Sequence, residues 1–234
     1  MRIDPSMTNG RLAMTIVSHV ADTIDGQATL DSFCNAATTD IQNACIASHA
    51  DMAQLTDTPS LRPTCSAVVY SAFHNEIWMI GDCQAMVDGI AYDNEKPHEA
   101  LLAQKRSDVI NSMLSEGDID KAIFQTKDDP GRASIINEII SACKDQNKTY
   151  AVLDGFCVYM DGVRRIKLSE GAHEIVLASD GYPHLRPTLA LSEAALRQQI
   201  EQDPLCIDTH KATKGLLTGN KSFDDRSFIR FTVE

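Results

Sequence analysis

Apolar residues recur every three to four positions through the first quarter of the chain, a spacing that predicts two amphipathic helices. Thr8 or Asn9 can cap the first helix, and Asp25-Gly26 ends it. Its apolar positions, each four residues from the next, are Leu12, Ile16, Val20 and Ile24. A longer apolar stripe from residue 30 to residue 55 predicts the second helix. We expect the two helices to form one antiparallel layer.

After residue 63 the pattern changes to short apolar runs separated by turn residues, which predicts β-strands. The first strands are expected at residues 65–73, 76–80 and 84–88. Residues 67–70 are apolar on both faces of their strand. A strand of that kind is covered on both sides, so the sequence predicts a sheet inside a layered sandwich.

The second half of the chain again shows helices followed by strands. Further helices are predicted at 97–114, 119–124, from 129–130 onward, at 192–202 and at 209–217. Further strands are predicted at 150–153, 163–168, 174–178 and 227–233. This order favours an α+β fold in which two sheets pack together with helices outside. With 234 residues and no internal repeat or linker, we expect one domain spanning residues 1–234.

Composition narrows the classes of partner and compartment. The formal net charge of -12 argues against nucleic acid or an anionic membrane surface as the main partner. No apolar stretch reaches the roughly 18 residues of a membrane helix, and the first residues lack the apolar core of a signal peptide. The seven scattered cysteines suit reduced thiols better than a disulfide framework, so we expect a cytoplasmic protein.

The candidate chemistry lies in carboxylates at predicted strand ends. Asp82 stands in Gly-Asp-Cys, Asp180 in Ala-Ser-Asp-Gly, and Asp224 in Phe-Asp-Asp-Arg-Ser. Any one of them taken alone is more readily a turn residue than a ligand. If their strands are neighbours, the carboxylates can meet at one site for a hard cation such as Mg²⁺ or Mn²⁺.

Four segments in this order resemble the metal-dependent PPM-type (type 2C) protein serine/threonine phosphatases. They are Thr64-Cys-Ser-Ala-Val-Val69, Ile77-Trp-Met-Ile-Gly-Asp82-Cys, Ile175-Val-Leu-Ala-Ser-Asp180-Gly181 and Asp224-Asp225-Arg-Ser-Phe-Ile. Two further segments, Tyr150-Ala-Val-Leu-Asp154-Gly155 and Tyr182-Pro183, resemble a divergent bacterial branch of the family. The resemblance implies a four-layer α-β-β-α sandwich of two antiparallel sheets flanked by helices.

The resemblance also implies a metal site and a reaction. Asp180 and Asp224 match metal ligands of the family, with Gly181 and Asp225 beside them, and Asp82 matches the position near a third, weaker ion. Two Mg²⁺ or Mn²⁺ ions would activate a water that hydrolyses phosphoserine or phosphothreonine in a phosphorylated protein substrate. The oligomeric state is not readable from the sequence.

The chain departs from the family pattern at its start. Only Asp4 matches the N-terminal acidic ligand, and Pro5 stands where the family has a glycine. The family's phosphate-binding arginine and proton-donating histidine have no counterpart, so the catalytic residues stay unassigned and we expect the N-terminal strands of the family to be lacking. Two alternatives therefore remain: a catalytically impaired pseudophosphatase acting as a signalling or scaffold module, and a phosphatase for small molecules. Asp154 and His184 are weaker candidates for the site.

Overall fold

The structure, a computed structural model, describes residues 2–117 and 120–234. Its α-helices are α1 (Asn9–Thr23), α2 (Leu30–Ala47), α3 (Met52–Asp57), α4 (Glu99–Glu116), α5 (Pro130–Ala142) and α6 (Leu189–Gln202). Its strands are β1 (Ala67–Ser71), β2 (Glu76–Ile80), β3 (Gln84–Val87), β4 (Ile90–Tyr92), β5 (Arg164–Lys167), β6 (His173–Ala178) and β7 (Phe228–Val233). Short 3-10 turns occupy Pro59–Leu61, Lys121–Gln125, Cys143–Asp145 and Met160–Gly162.

The two N-terminal helices form where the apolar spacing predicts them. Thr8 caps α1 by accepting a hydrogen bond from the Arg11 amide, and Thr29 caps α2 in the same way through the Ser32 amide. The prediction of a single helix over residues 30–55 is wrong, because the helix ends at Ala47. His49 takes a left-handed conformation there, and the Asp51 side chain caps the separate helix α3.

Within the described residues the strands form two antiparallel sheets, one in the order β1-β2-β5 and the other in the order β4-β3-β6-β7. Alternate residues of each strand point to opposite faces of its sheet. Ile77 and Met79 of β2 pack against Ile175 and Leu177 of β6 between the sheets. The two sheets therefore lie face to face.

The outer faces of the sheets are covered by helices. Trp78 and Ile80 of β2 pack with α1 and α2, for example against Phe33. On the other sheet, Val176 and Ala178 of β6 pack with Leu196 of α6 and the loop that follows it. The layers are thus helix, sheet, sheet and helix, and the predicted α-β-β-α sandwich of two antiparallel sheets is confirmed.

After the N-terminal helices, several elements differ between prediction and structure. Residues 209–217 form a loop held by hydrogen bonds to other segments. Residues 150–153 contribute two isolated bridges, Leu153 with Cys65 and Tyr150 with Gln146. The short strand β4 was not predicted. The helix predicted at 119–124 begins outside the described residues, and a 3-10 turn covers Lys121–Gln125. No helix in the described ranges has the length and apolarity needed to cross a bilayer.

Candidate functional site

Three of the predicted metal ligands lie at the same end of the four-stranded sheet. Strand pairing sets Gln84 opposite Ala178, and Ala178 opposite Phe228. Asp82 lies two residues before Gln84, Asp180 two residues after Ala178, and Asp224 four residues before Phe228. Antiparallel pairing therefore brings three segments that are far apart in sequence to one edge. All three aspartates line a single cavity of about 820 Å³.

A glycine turn positions Asp82. Gly81 has a φ of 84°, in the left-handed region that favours glycine, and a Cβ there would lie 2.2 Å from Ser66 Oγ. The close approach lets Ser66 Oγ donate a 2.5 Å hydrogen bond to Asp82 Oδ1. The first two segments quoted for the family resemblance, around Ser66 and Asp82, thus contact each other.

Lys96 is the second partner of Asp82. Its ammonium group donates to Asp82 Oδ2 in an ion pair. Burial opposes ionisation of both groups, yet the Asp82 carboxylate raises the pKa of Lys96, and Lys96 together with Ser66 holds the pKa of Asp82 below its usual range. Both groups are therefore charged at neutral pH.

Asp224 has its own lysine. Lys214, from the loop between α6 and β7, places Nζ 2.7 Å from Asp224 Oδ2. The other carboxylate oxygen accepts a 2.9 Å hydrogen bond from the Asp225 amide. Asp225 is exposed beside it and lines the same cavity.

Asp180 differs from both neighbours, because no ion pair or side-chain hydrogen bond to its carboxylate occurs in the described part of the chain. It is exposed on the cavity wall. Even so, partial desolvation there and then the charges of Asp82 and Asp224 raise the pKa of Asp180 to about 7. The pKa of Glu99, which lines the same cavity, is also raised, first by desolvation and then by the carboxylates around it despite Lys96.

The segment carrying Asp224 is fastened to the Asp180 strand and to α6. Gly181 packs so closely that a Cβ there would lie 2.4 Å from the Asp225 carbonyl oxygen. Glu193 of α6 accepts hydrogen bonds from Arg226 at 2.7 and 2.9 Å and one from the Tyr182 hydroxyl at 2.9 Å. These contacts hold Asp180 and Asp224 on one rigid frame.

Asp4 and Pro5 do not line this cavity. Asp4 Oδ1 accepts hydrogen bonds from the Ser6 amide and hydroxyl at 2.7 and 2.6 Å, as in an Asx turn before α1. The structure therefore brings Asp82, Asp180 and Asp224 together and leaves Asp4 outside.

The weaker candidates fall in different places. His184 lines a neighbouring cavity of about 470 Å³ that also includes Asp82, Asp180 and Asp224, and its ring centroid is 6.3 Å from that of His210. Asp154 lines neither cavity and is buried against Arg62. Asp154 is therefore a structural residue.

The donor atoms at the cavity fit a hard divalent cation in their chemistry. Five carboxylates stand there, those of Asp82, Glu99, Asp180, Asp224 and Asp225, and Lys96 and Lys214 pair with two of them. Burial raises the pKa of the nearby Cys65 and Cys83 thiols.

The arrangement of these carboxylates fits a metal ion less well than their chemistry does. Over residues 2–117 and 120–234, no three Asp, Glu, His or Cys side chains are grouped so as to hold a metal ion. In that part of the chain, Lys96 forms an ion pair with Asp82, and Lys214 forms one with Asp224.

Lys96, Glu99 and Lys214 are not among the site residues that the sequence predicted. Lys96 and Glu99 flank Pro97-His98 at the start of α4, which carries no motif. The one available signal in the sequence was an excess of acidic residues, which need positive partners. That excess does not show which lysine pairs with which carboxylate.

Comparisons with known proteins give little beyond the geometry. No known family model matches the chain, and no curated protein matches it. Among solved structures it is similar to the serine/threonine phosphatase PstP/Ppp of Mycobacterium tuberculosis, with 16% identity and a TM-score of 0.33 over 85% of this chain and 74% of that chain. That similarity is too low to assign a function.

Proposed function

We propose that this chain is a metal-dependent phosphatase that hydrolyses phosphoserine and phosphothreonine in proteins. The observation that supports this most is the meeting of Asp82, Asp180 and Asp224 on one cavity wall. They come from three segments whose motifs, in this order, resemble the PPM-type phosphatases. A turn residue has no need of two other carboxylates beside it, since like charges at close range destabilise the fold.

In this proposal Asp180 and Asp224 hold Mg²⁺ or Mn²⁺, and Asp82 serves a further ion. Carboxylates repel a phosphate dianion, and a bound cation would offset that repulsion. When bound, the cation supplies a Lewis acid that activates water and neutralises the phosphoryl oxygens. The chain's own part is to fix the carboxylates, through Ser66 on Asp82 and through the Glu193 contacts behind Asp224.

The test is Mn²⁺-dependent hydrolysis by the Asp180→Asn variant, with p-nitrophenyl phosphate and a phosphoserine peptide as substrates. We expect turnover to fall by about a hundredfold or more, the loss typical of removing one electrostatic stabiliser from a reacting site. Asp57→Asn, an exposed position at the end of α3, is the control and should keep full activity. Undiminished turnover by Asp180→Asn would refute the proposal, and turnover of p-nitrophenyl phosphate without the peptide would favour a small-molecule phosphatase.

A second candidate is a non-catalytic module that keeps the sandwich without the metal chemistry. It is supported by the two lysines on Asp82 and Asp224, and by the position of Asp4 outside the cavity. Calorimetric titration with Mn²⁺ separates the two, since a phosphatase of this kind must bind the ion and a degenerate module has no tight site.

A further inference from the structure

A serine, a histidine and an aspartate contact one another at the opposite end of β6 from Asp180. Ser169 Oγ lies 3.0 Å from His173 Nε2, and His173 Nδ1 lies 2.6 Å from Asp88 Oδ2. None of the three residues lines either cavity that contains Asp180. Because a strand rises about 3.3 Å per residue, the run from His173 to Ala178 separates this cluster from the candidate site by about 17 Å.

Asp88 holds the histidine ring by its Nδ1 side. It directly follows β3, and its Oδ1 accepts a 2.9 Å hydrogen bond from the Glu174 amide. The Asp88 amide in turn donates to the Glu174 carbonyl oxygen at 2.9 Å. In a neutral ring, a carboxylate at Nδ1 keeps the proton on that nitrogen and leaves Nε2 as an acceptor. Nε2 is the nitrogen that faces Ser169 Oγ, so the neutral ring is placed to take the serine proton.

The protonated ring has a different partner. The hydrogen bond with Asp88 raises the pKa of His173. An imidazolium donates from both nitrogens, and the Ser169 carbonyl oxygen lies 3.2 Å from Nε2. His173 is therefore a base toward Ser169 only when its ring is neutral.

Other histidines lack this pair of contacts. His98 Nε2 contacts the Asp145 carboxylate at 2.9 Å, and no serine hydroxyl reaches its ring. His74 Nε2 contacts the Gln27 carbonyl oxygen at 3.3 Å. In the described part of the chain, only His173 joins a serine hydroxyl to a carboxylate.

The serine is open to a substrate. Ser169 is exposed, in the connection between β5 and β6. The amides of Glu170 and Gly171 follow it directly, and neither donates to a protein acceptor within the described ranges. Free backbone amides beside a nucleophile can bind the oxyanion that forms when a carbonyl is attacked. A serine exposed in this way suits small, unhindered esters, whose carbonyl carbon needs access and no enclosing pocket.

We propose that Ser169, His173 and Asp88 form a nucleophilic triad that hydrolyses small, unhindered carboxylic esters. Ser169 Oγ attacks the ester carbonyl carbon while its proton passes to His173 Nε2. The bond from that carbon to the alcohol oxygen then breaks, and the alcohol leaves with this proton. Water next gives a proton to Nε2 and cleaves the acyl-serine, which releases the carboxylic acid and returns the proton to Ser169. These steps use no metal ion, so they do not depend on the proposed phosphatase function.

The test uses the full chain in EDTA at pH 8.5, a pH that favours the neutral ring. A biotinylated fluorophosphonate labels serine hydroxyls that a neighbouring base activates, and peptide mass spectrometry locates the label. We expect the label on Ser169, together with hydrolysis of p-nitrophenyl acetate that Ser169→Ala loses. His173→Gln and Asp88→Asn should slow both reactions by about a hundredfold or more, the scale of a positioned general base.

Two variants serve as controls and should match the wild type. His19→Gln changes an exposed histidine of α1, and Ser112→Ala changes an exposed serine of α4 that contacts Glu116. Circular dichroism at pH 8.5 checks that each variant is folded, and Ser169→Ala and Asp88→Asn decide the matter if His173→Gln is not. An unlabelled Ser169, ester hydrolysis undiminished in Ser169→Ala, or labelling undiminished in folded His173→Gln overturns the inference.

Discussion

The Arg62 guanidinium donates to the Asp154 carboxylate at 2.9 Å, and the two side chains are only 7% and 0% exposed. Asp154 also accepts hydrogen bonds from the Asn147 side chain at 2.9 Å and from the Phe156 amide at 3.0 Å. The guanidinium lies 3.8 Å from the centre of the Phe156 ring. This network joins the segment after α3 to the loop that precedes β5, so Asp154-Gly155 serves the fold.

Removal of this carboxylate should destabilise the protein strongly. Asp154→Ala leaves the Arg62 charge buried without its partner, and we expect the free energy of unfolding to fall by about 3–5 kcal/mol. The exposed Asp161→Ala should change it by less than about 0.5 kcal/mol. Urea unfolding followed by circular dichroism measures both, and similar stabilities of the two variants would contradict the structural role.

Arg106 should be as important for a different region. It is buried in an ion pair with Asp129 at 2.8 Å and also binds carbonyl oxygens of the loop after α6. We expect Arg106→Met to cost about 3–5 kcal/mol, because it leaves the Asp129 charge and several carbonyls buried without a donor. The neighbouring Lys105→Met, whose side chain is 45% exposed and paired with Glu138, should cost under about 1 kcal/mol. Chemical denaturation of the two variants provides the comparison.

Gly181 should tolerate no side chain. A Cβ at that position would lie 2.4 Å from the Asp225 carbonyl oxygen and 2.8 Å from the Arg226 side chain. Gly181→Ala must therefore push the Asp224 segment away from Asp180, at a cost of about 1–3 kcal/mol. Gly26→Ala, where a Cβ meets nothing within 4 Å, is the matched control and should be close to neutral. Equal melting temperatures of the two variants in thermal melts would disprove the close contact.

His173 should give the protein a pH-dependent contribution to stability. Its ring contacts Asp88 Oδ2 at 2.6 Å, and this hydrogen bond raises the pKa of His173. A pKa raised in the folded state means stabilisation that is complete below the unfolded value of about 6.5 and lost as pH rises through the folded value. We expect His173→Gln to lower the melting temperature at pH 5.5 more than at pH 8.5. The exposed His19→Gln should show no such difference, and a pH-independent effect of His173→Gln would count against the pairing.

Local patterns in the sequence predicted much of the fold. The residues of β2 matched their prediction, β6 began one residue earlier than expected, and the four layers followed from the order of helices and strands. These features depend on periodic burial, which the sequence displays directly. The break between α2 and α3 was missed because the apolar stripe continues past it, while the Asp51 cap depends on side-chain hydrogen bonds.

The candidate site, like the fold, was predictable from the sequence only in part. The sequence by itself placed Asp82 and Asp180 where apolar runs stop at Gly-Asp or Asp-Gly, and Asp224 in an acidic turn before an alternating strand. Only the tertiary structure decided that β3, β6 and β7 are neighbours, that Lys96 and Lys214 pair with two of the carboxylates, and that Asp4 lies outside the cavity. Pairing between segments far apart in sequence leaves no periodic signal, and surface lysines on loops look alike until the chain is folded.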